Sequence, residues 1–271
     1  MHRLNSEETL SIRPHFDAPN LRLVVDSIID GKTPARVWAD DLAAPRTALA
    51  WEGRCIYLVG DFEDAEVNKG LREIFSTEIQ PEGQSKKLGF FKLYYSPDAW
   101  SLRLEEIFGS LLDDDLERRI YCSVRDNSSR IAVPSPPLEL RQIDAQLLQS
   151  DFAHIDLVRD EILGCWPSFE TFLDQGFGFT MLDGTSVVCW CTAEYVSKGK
   201  CGIGIETIEA YQGRGIATAV AGEFVRHALA SGVNPHWDCW ARNTPSVRVA
   251  EKVGFADMHD YKIAIGSSGD G

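Results

Sequence analysis

Residues 212–217 read Gln-Gly-Arg-Gly-Ile-Ala, between the alternating run Ile203-Gly204-Ile205-Glu206-Thr207-Ile208 and a helical pattern that extends to about Ala230. A strand that passes through a glycine-rich turn into a helix aims several unpaired backbone N–H groups, and the positive end of the helix dipole, at one point. Phosphate oxygens suit such a point. Gly213 and Gly215 allow close backbone approach and positive φ, and Arg214 adds positive charge to an otherwise acidic chain.

Three ligand classes use this junction. A Walker loop ends in Gly-Lys-Ser/Thr, which is absent here, so that class is excluded. A dinucleotide fold needs a small residue where Thr218 stands and an acidic residue at the end of the next strand, for which Asp238 has the right distance. Against it, the glycine turn follows several strands of its own domain, and Asp238 sits inside its strand between Trp237 and Cys239. The third class is coenzyme A held by its diphosphate.

Two segments carry a resemblance to that third class. Gln212-Gly213-Arg214-Gly215-Ile216-Ala217 is similar to the Gln/Arg-x-x-Gly-x-Gly/Ala signature of the GNAT acetyltransferases. Downstream, Asn243-Thr244-Pro245-Ser246 and Glu251-Lys252-Val253-Gly254-Phe255 resemble the Asn-x-x-Ser and Glu-Lys-x-Gly-Phe elements of the same superfamily. The likeness spans residues 138–265, and the whole chain, including Trp237-Asp238-Cys239, resembles a bacterial GNAT group with an extra N-terminal half.

The resemblance implies an acyl-CoA N-acyltransferase. Acetyl-CoA would be the co-substrate, no metal would be needed, and a primary amine of a small cationic molecule would attack the thioester directly in a ternary complex. It implies diphosphate contacts from Gln212, Gly213, Arg214, Gly215, Ile216, Ala217 and Thr218. Ile205, Thr207 and Ile208 would lie on a strand that splays from its neighbour, leaving main-chain groups for the pantetheine arm and one N–H for the thioester carbonyl. Asn243 and Ser246 would line the pantetheine exit, although both also suit helix capping. An alkylammonium has a pKa of ~10.4, so a base must take its proton. Glu206 is the first candidate and Glu194 the second; solvated or ion-paired roles fit both equally. Where many family members place a tyrosine to protonate the leaving thiolate, this chain has Ala250, which leaves Tyr195, Tyr211 or solvent. A CoA-binding sensor or scaffold without turnover is the alternative that Ala250 supports.

The elements that must position these residues follow from periodicity. In the second half, a strand is predicted at 138–141, helical stretches over 144–174, and a hairpin over 177–182 and 186–195 about Asp183-Gly184. Ile216, Val220, Phe224 and Ala228 mark a buried helical face that stops at Gly232. A strand at 236–241 then leads to a helix with Thr244 as N-cap and Pro245 in its first turn, which ends at Gly254; a closing strand covers 255–265 and a disordered tail 266–271. In the first half, helices are predicted at 20–30, 65–76 and 98–112 and strands at 47–51, 55–59 and 90–95, with Asp113-Asp114-Asp115 as a solvated helix end or loop. Turn formers at 126–130 and prolines at 134–137 mark a boundary between an acceptor-shaping or structural domain (1–130) and the catalytic domain (138–266). The expected class is α/β (α+β): a GNAT-like mixed sheet with helices on both faces, preceded by a smaller α/β domain. A hairpin at 48–59, resembling that at 177–195, suggests a degenerate duplicate.

Composition narrows the partners. At 271 residues the chain has room for two cores, and its net charge of −14 repels polyanions, so neither nucleic acid nor an anionic membrane is an expected partner. The acidity suits a cationic small molecule. Seven cysteines, mostly within apolar strand-like runs, read as structural thiols, with no ligand spacing around Cys189-Trp190-Cys191. No apolar run approaches the ~20 residues of a membrane span, and the expectation is a cytoplasmic protein whose oligomeric state the sequence leaves open. His236 is expected to be a packed, hydrogen-bonded core residue.

Overall fold

The structure, a computed structural model, describes residues 1–125, 131 and 137–267. Most of the proline- and turn-rich boundary (126–130 and 132–136) and the end of the tail (268–271) lie outside the described residues. The chain divides into two compact units, Met1–Arg118 with Asp260–Gly271, and Arg119–His259.

The first unit runs β1 (His2–Arg3), α1 (Pro19–Ile29), β2 (Arg36–Ala39), β3 (Thr47–Trp51), β4 (Cys55–Gly60), α2 (Ala65–Ile74), α3 (Gln80–Ser85), β5 (Phe90–Ser96), α4 (Leu104–Phe108) and β6 (Leu111–Val124), which ends in the second unit. Strands β1 to β4 pair antiparallel in sequence order, and β5 joins β4 in parallel. Trp38, Leu49, Leu58, Phe75, Leu93 and Trp100 belong to one buried cluster. Burial of an aliphatic or aromatic side chain of this size stabilises by ~1.5–3 kcal/mol.

The second unit runs β7 (Leu138–Gln142), α5 (Ala145–Leu148), α6 (Ile155–Cys165), α7 (Phe169–Gln175), β8 (Gly178–Asp183), β9 (Ser186–Ser197), β10 (Lys200–Thr207), α8 (Ile216–Ala230), β11 (Asn234–Pro235), β12 (Trp237–Trp240), α9 (Thr244–Val253) and β13 (Phe255–Ser267), whose end belongs to the first unit. Its five-stranded sheet has the order β11-β10-β9-β8-β7, antiparallel except for the parallel β10–β11 pair. Helices cover both faces. Phe179 meets His227 of α8, while a Cβ on the adjacent Gly178 would meet Phe172 of α7, and neighbouring strand residues point oppositely. The predicted face of α8 is the buried one: Ile216, Val220, Phe224 and Ala228 are at most 1% exposed. Val233 N–H closes the helix end on Ala228 O at 2.8 Å.

Four expectations are corrected. Residues 111–124 form β6, so Asp113-Asp114-Asp115 lie in a strand instead of a helix end, and the helix predicted over 98–112 stops at Phe108. The N-cap of α9 is Asn243, not Thr244: its side chain accepts the Ser246 N–H, and Thr244 is the first helical residue. The division falls at Arg118/Arg119 instead of 130/138, and residues 260–266 join the first unit, because Ile263–Ser267 pair with β5. That pairing also places Gly266 and Ser267 in a strand instead of a tail. The order strand, helices, three strands, one or two helices, one or two strands, helix, strand occurs in both units. It sets β3–β4 against β9–β10, one strand off the hairpin match read from sequence.

Candidate active site

The mouth of α8 is shaped by two glycines. Gly213 has φ +73° and Gly215 φ +78°, the left-handed region that an L side chain enters at a penalty of ~1–2 kcal/mol. A Cβ on either would meet nothing within 4 Å, so conformation, not crowding, demands glycine here. Gly215 is the N-cap of a 15-residue helix and brings no side chain, and among the described residues none is recorded bonding to the first-turn N–H groups. The donors of Ile216, Ala217 and Thr218 are therefore the orphans of the helix start, and they open on a cleft of about 630 Å³.

The opposite wall is an open strand edge. Ile208 N–H donates to Val188 O at 3.0 Å, and the β9–β10 register carries that pattern back through Glu206, Gly204 and Gly202. The intervening Ile203, Ile205 and Thr207 consequently turn their main-chain groups away from β9. On that side β11 pairs only with Lys200 and Cys201; after His236 the chain leaves this sheet, and β12 takes a place beside β6. Among the described residues no strand hydrogen-bonds this edge of β10 beyond Cys201. Gln212 Nε2 donates to Thr207 O at 3.1 Å and ties the turn to the strand end.

Most of the sequence-derived residues converge here. Ile205, Glu206, Thr207, Gln212, Gly213 and Gly215 line the cleft, as do Ile216, Ala217, Thr218, Asn243 and Ser246. Three do not. Ile208 has its N–H engaged by Val188. The Arg214 guanidinium stacks 5.0 Å over the Tyr211 ring at the exposed turn. Glu194 is on β9 opposite Gly202 and does not line the cleft. Glu206 is exposed at the cleft. Asn243 caps α9, the structural role that the sequence left open for it, whereas Ser246 Oγ accepts Trp237 Nε1–H at 3.1 Å instead of capping. Sequence reasoning missed Arg248 and Lys252, which line the cleft one helical turn apart on α9. Their i,i+4 spacing behind Asn243 was the available signal.

Two expectations change. Tyr211 Oη donates to Asp183 Oδ2 at 2.8 Å, which with burial raises its pKa and commits its proton away from the cleft. His236 is buried as expected, but neither ring nitrogen has a hydrogen-bond partner among the described residues. Burial, with Lys200 nearby, pulls its pKa down to about 4. The seven cysteines form no disulfide, four of them are buried, and among the described residues no group of three or more His, Cys, Asp or Glu is placed to hold a metal ion.

The sequence model of a family described as GNAT acetyltransferase matches residues 13–264. The chain belongs to the GNAT acetyltransferase family. It is an acyl-CoA N-acyltransferase, and its fold is one that uses acetyl-CoA. An uncharacterized N-acetyltransferase, YdfB of Bacillus subtilis (strain 168), is 28% identical over 97% of both chains. A crystal structure of a GCN5-related N-acetyltransferase-like protein from Streptococcus suis 89/1591 superposes with a TM-score of 0.68 at 22% identity, covering 97% of this chain and 99% of that one. A tandem GNAT protein from the clavulanic acid biosynthesis pathway gives 0.54 at 10% identity, covering 91% and 89%. These two likenesses concern the fold. Within this GNAT chain the two units differ at the matching helix mouth. In the first, Asp64 caps α2 by accepting Glu66 and Val67 N–H at 3.0 and 3.2 Å, so a carboxylate already holds the donors that stay open at α8. Among the described residues no helix is long and apolar enough to cross a membrane.

Proposed function

We propose that this chain transfers an acetyl group from acetyl-CoA to a primary amine of a small cationic molecule, by direct attack, at the cleft between the mouth of α8 and the open edge of β10. The observation that carries the reading is the pairing of orphan donors at a side-chain-free helix start with a strand edge that β12 has vacated. Gln212 to Thr218 hold the diphosphate, Arg248 and Lys252 add positive charge on the far wall, and Asn243 and Ser246 flank the pantetheine exit. Ile205 and Thr207 supply the main-chain groups for the pantetheine arm, and one N–H of this edge polarises the acyl carbonyl. Bound acetyl-CoA supplies the activated acyl group. The amine loses a proton to Glu206 or Glu194; its lone pair forms the C–N bond as the C–S bond breaks, and solvent protonates the departing thiolate. Positioned acid–base groups contribute ~10²–10⁴ in rate, so a cleft without a tyrosine acid turns over slowly.

Buried Ala250 favours a second reading, a CoA sensor without turnover. One experiment separates the readings: titration with CoA and acetyl-CoA, then thiol release over a panel of polyamines, amino acids, aminoglycosides and peptides. Tight CoA binding with thiol release on one amine class supports the transferase; binding without release on any supports the sensor. Stabilisation by NAD in place of CoA would overturn both.

A further inference from the structure

The α9 wall of the cleft is a single helical stripe. Pro245, Arg248, Val249 and Lys252 all line the cavity, and offsets of three, four and seven residues stack them on one face of the helix. Ala250 and Val253, on the adjoining face, are buried in the core. The stripe carries two positive charges and no negative one. That is unusual company in a chain with 41 acidic residues against 27 Lys and Arg. Arginines on other helices of this unit find a carboxylate three residues away, Arg159 with Asp156 on α6 and Arg226 with Glu223 on α8. Among the described residues Arg248 and Lys252 make no ion pair. Like charges four apart on a helix destabilise it, so the pair faces the cavity with a repulsion that an anion would relieve.

We infer that Arg248 and Lys252 form a subsite for the 3′-phosphate of coenzyme A, distinct from the diphosphate site at the mouth of α8. The inference rests on the acetyltransferase reading and adds to it the group by which this chain tells CoA from ADP, NAD and dephospho-CoA, which share the diphosphate. Coenzyme A brings two anionic groups. The orphan N–H groups of Ile216, Ala217 and Thr218 serve the diphosphate, and the cavity wall that they do not occupy holds the cation pair. The 3′-phosphate is a monoester and carries about −1.5 to −2 charge near pH 7. Residues four apart on a helix have Cβ atoms ~5–6 Å apart, so one phosphate can touch both side chains. The Arg248 fork then takes two oxygens and the Lys252 ammonium the third. Pro245 and Val249 give the same stripe an apolar surface for the adenosine that bears the phosphate. Two other occupants fit less well. A cationic acceptor would be repelled by this wall. A carboxylate on the acyl group would share the Ile205–Thr207 end of the cleft with Glu206, which is itself a carboxylate.

The test is calorimetric titration of the full chain with CoA and with 3′-dephospho-CoA, which keeps the diphosphate, the adenine and the whole pantetheine arm. The wild type is expected to bind CoA ~10-fold more tightly at low ionic strength, and the preference should shrink at 0.5 M salt because both cations are exposed. Arg248→Ala combined with Lys252→Ala should weaken CoA ~10-fold and leave dephospho-CoA unchanged, so that the double variant no longer separates the two ligands. Lys252→Glu should go further and favour dephospho-CoA. Dephospho-CoA serves as the folding control in each variant, and should the double variant melt early, Arg248→Gln and Lys252→Gln singly carry the same comparison. Equal affinity of the wild type for both ligands overturns the subsite. So does a preference that persists undiminished in the variants, or an equal weakening of both ligands at unchanged Tm, which would mean that the pair acts on the diphosphate. All three outcomes leave the transferase reading standing, since it requires CoA binding and not this preference. Failure of the wild type to bind either ligand removes that reading, and the subsite with it.

Discussion

Replacing Gly215 by alanine isolates backbone conformation from every other property of the α8 mouth. The residue sits at φ +78° and a methyl there has no heavy atom within 4 Å, so the only penalty is that of an L residue in the left-handed region, ~1–2 kcal/mol. Two limits follow. If the turn keeps its shape in the free protein, the whole penalty falls on stability: Tm drops by ~2–4 °C per kcal/mol for a chain of this order of size, and CoA affinity is unchanged. If the free turn relaxes to negative φ, stability is preserved and CoA must restore the strained shape, which weakens binding ~5–30-fold. Either way the CoA-saturated protein melts below the wild type, because the same penalty is present in the bound state. Scanning fluorimetry with and without CoA, together with calorimetric Kd values, reads both quantities. A Gly215→Ala protein with wild-type Tm and wild-type CoA affinity would refute the claim that this φ is what the cofactor site requires.

Arg248→Ala combined with Lys252→Ala should weaken CoA ~10-fold at low ionic strength and less at 0.5 M salt, as exposed charges do, without moving Tm by more than a degree or two; titrations at two salt concentrations check it. His236 binds no proton above its folded pKa of about 4, whereas the unfolded chain protonates it below 6.5. Stability is therefore full above pH 6.5 and lost as pH falls towards 4, by about 3 kcal/mol in all; His236→Gln should flatten that slope in urea melts, and parallel pH profiles for the two proteins would contradict the assignment. The buried thiols should resist a disulfide reagent in the native state, since burial pushes Cys189 up to about 12 and raises Cys191 and Cys201 also. All seven should react in guanidine, and rapid native labelling of Cys189, Cys191 and Cys201 in a mass-spectrometric footprint would count against their packing.

The glycine turn and the helix it feeds were legible because a positive φ writes itself into sequence as glycine, and the face of α8 because its apolar residues repeat at helical spacing. The strand β6 was not, since three consecutive aspartates at 113–115 hide a strand from any reading of periodicity. The capping residue of α9 was misassigned by one position: Asn243 and Thr244 are both good caps, and only the direction of the Asn243 side chain decides between them. The approach of Glu161 to Gly204 had no local signature, since the two are 43 positions apart and meet only because α6 packs on the sheet. Arg248 and Lys252 were visible as a charged pair but became part of the site only once α9 was placed.

The strand segment Ile263–Ser267 follows β5 by the whole length of the second unit, and yet it hydrogen-bonds β5 within the first unit. Without that segment, residues 1–118 present one sheet margin bare, and unpaired margins recruit other chains. A chain cut after His259 should be recovered as aggregate even though all of the cleft residues are present. Residues 1–118 are thus not autonomous: their sheet is closed by a segment that lies beyond the entire second unit.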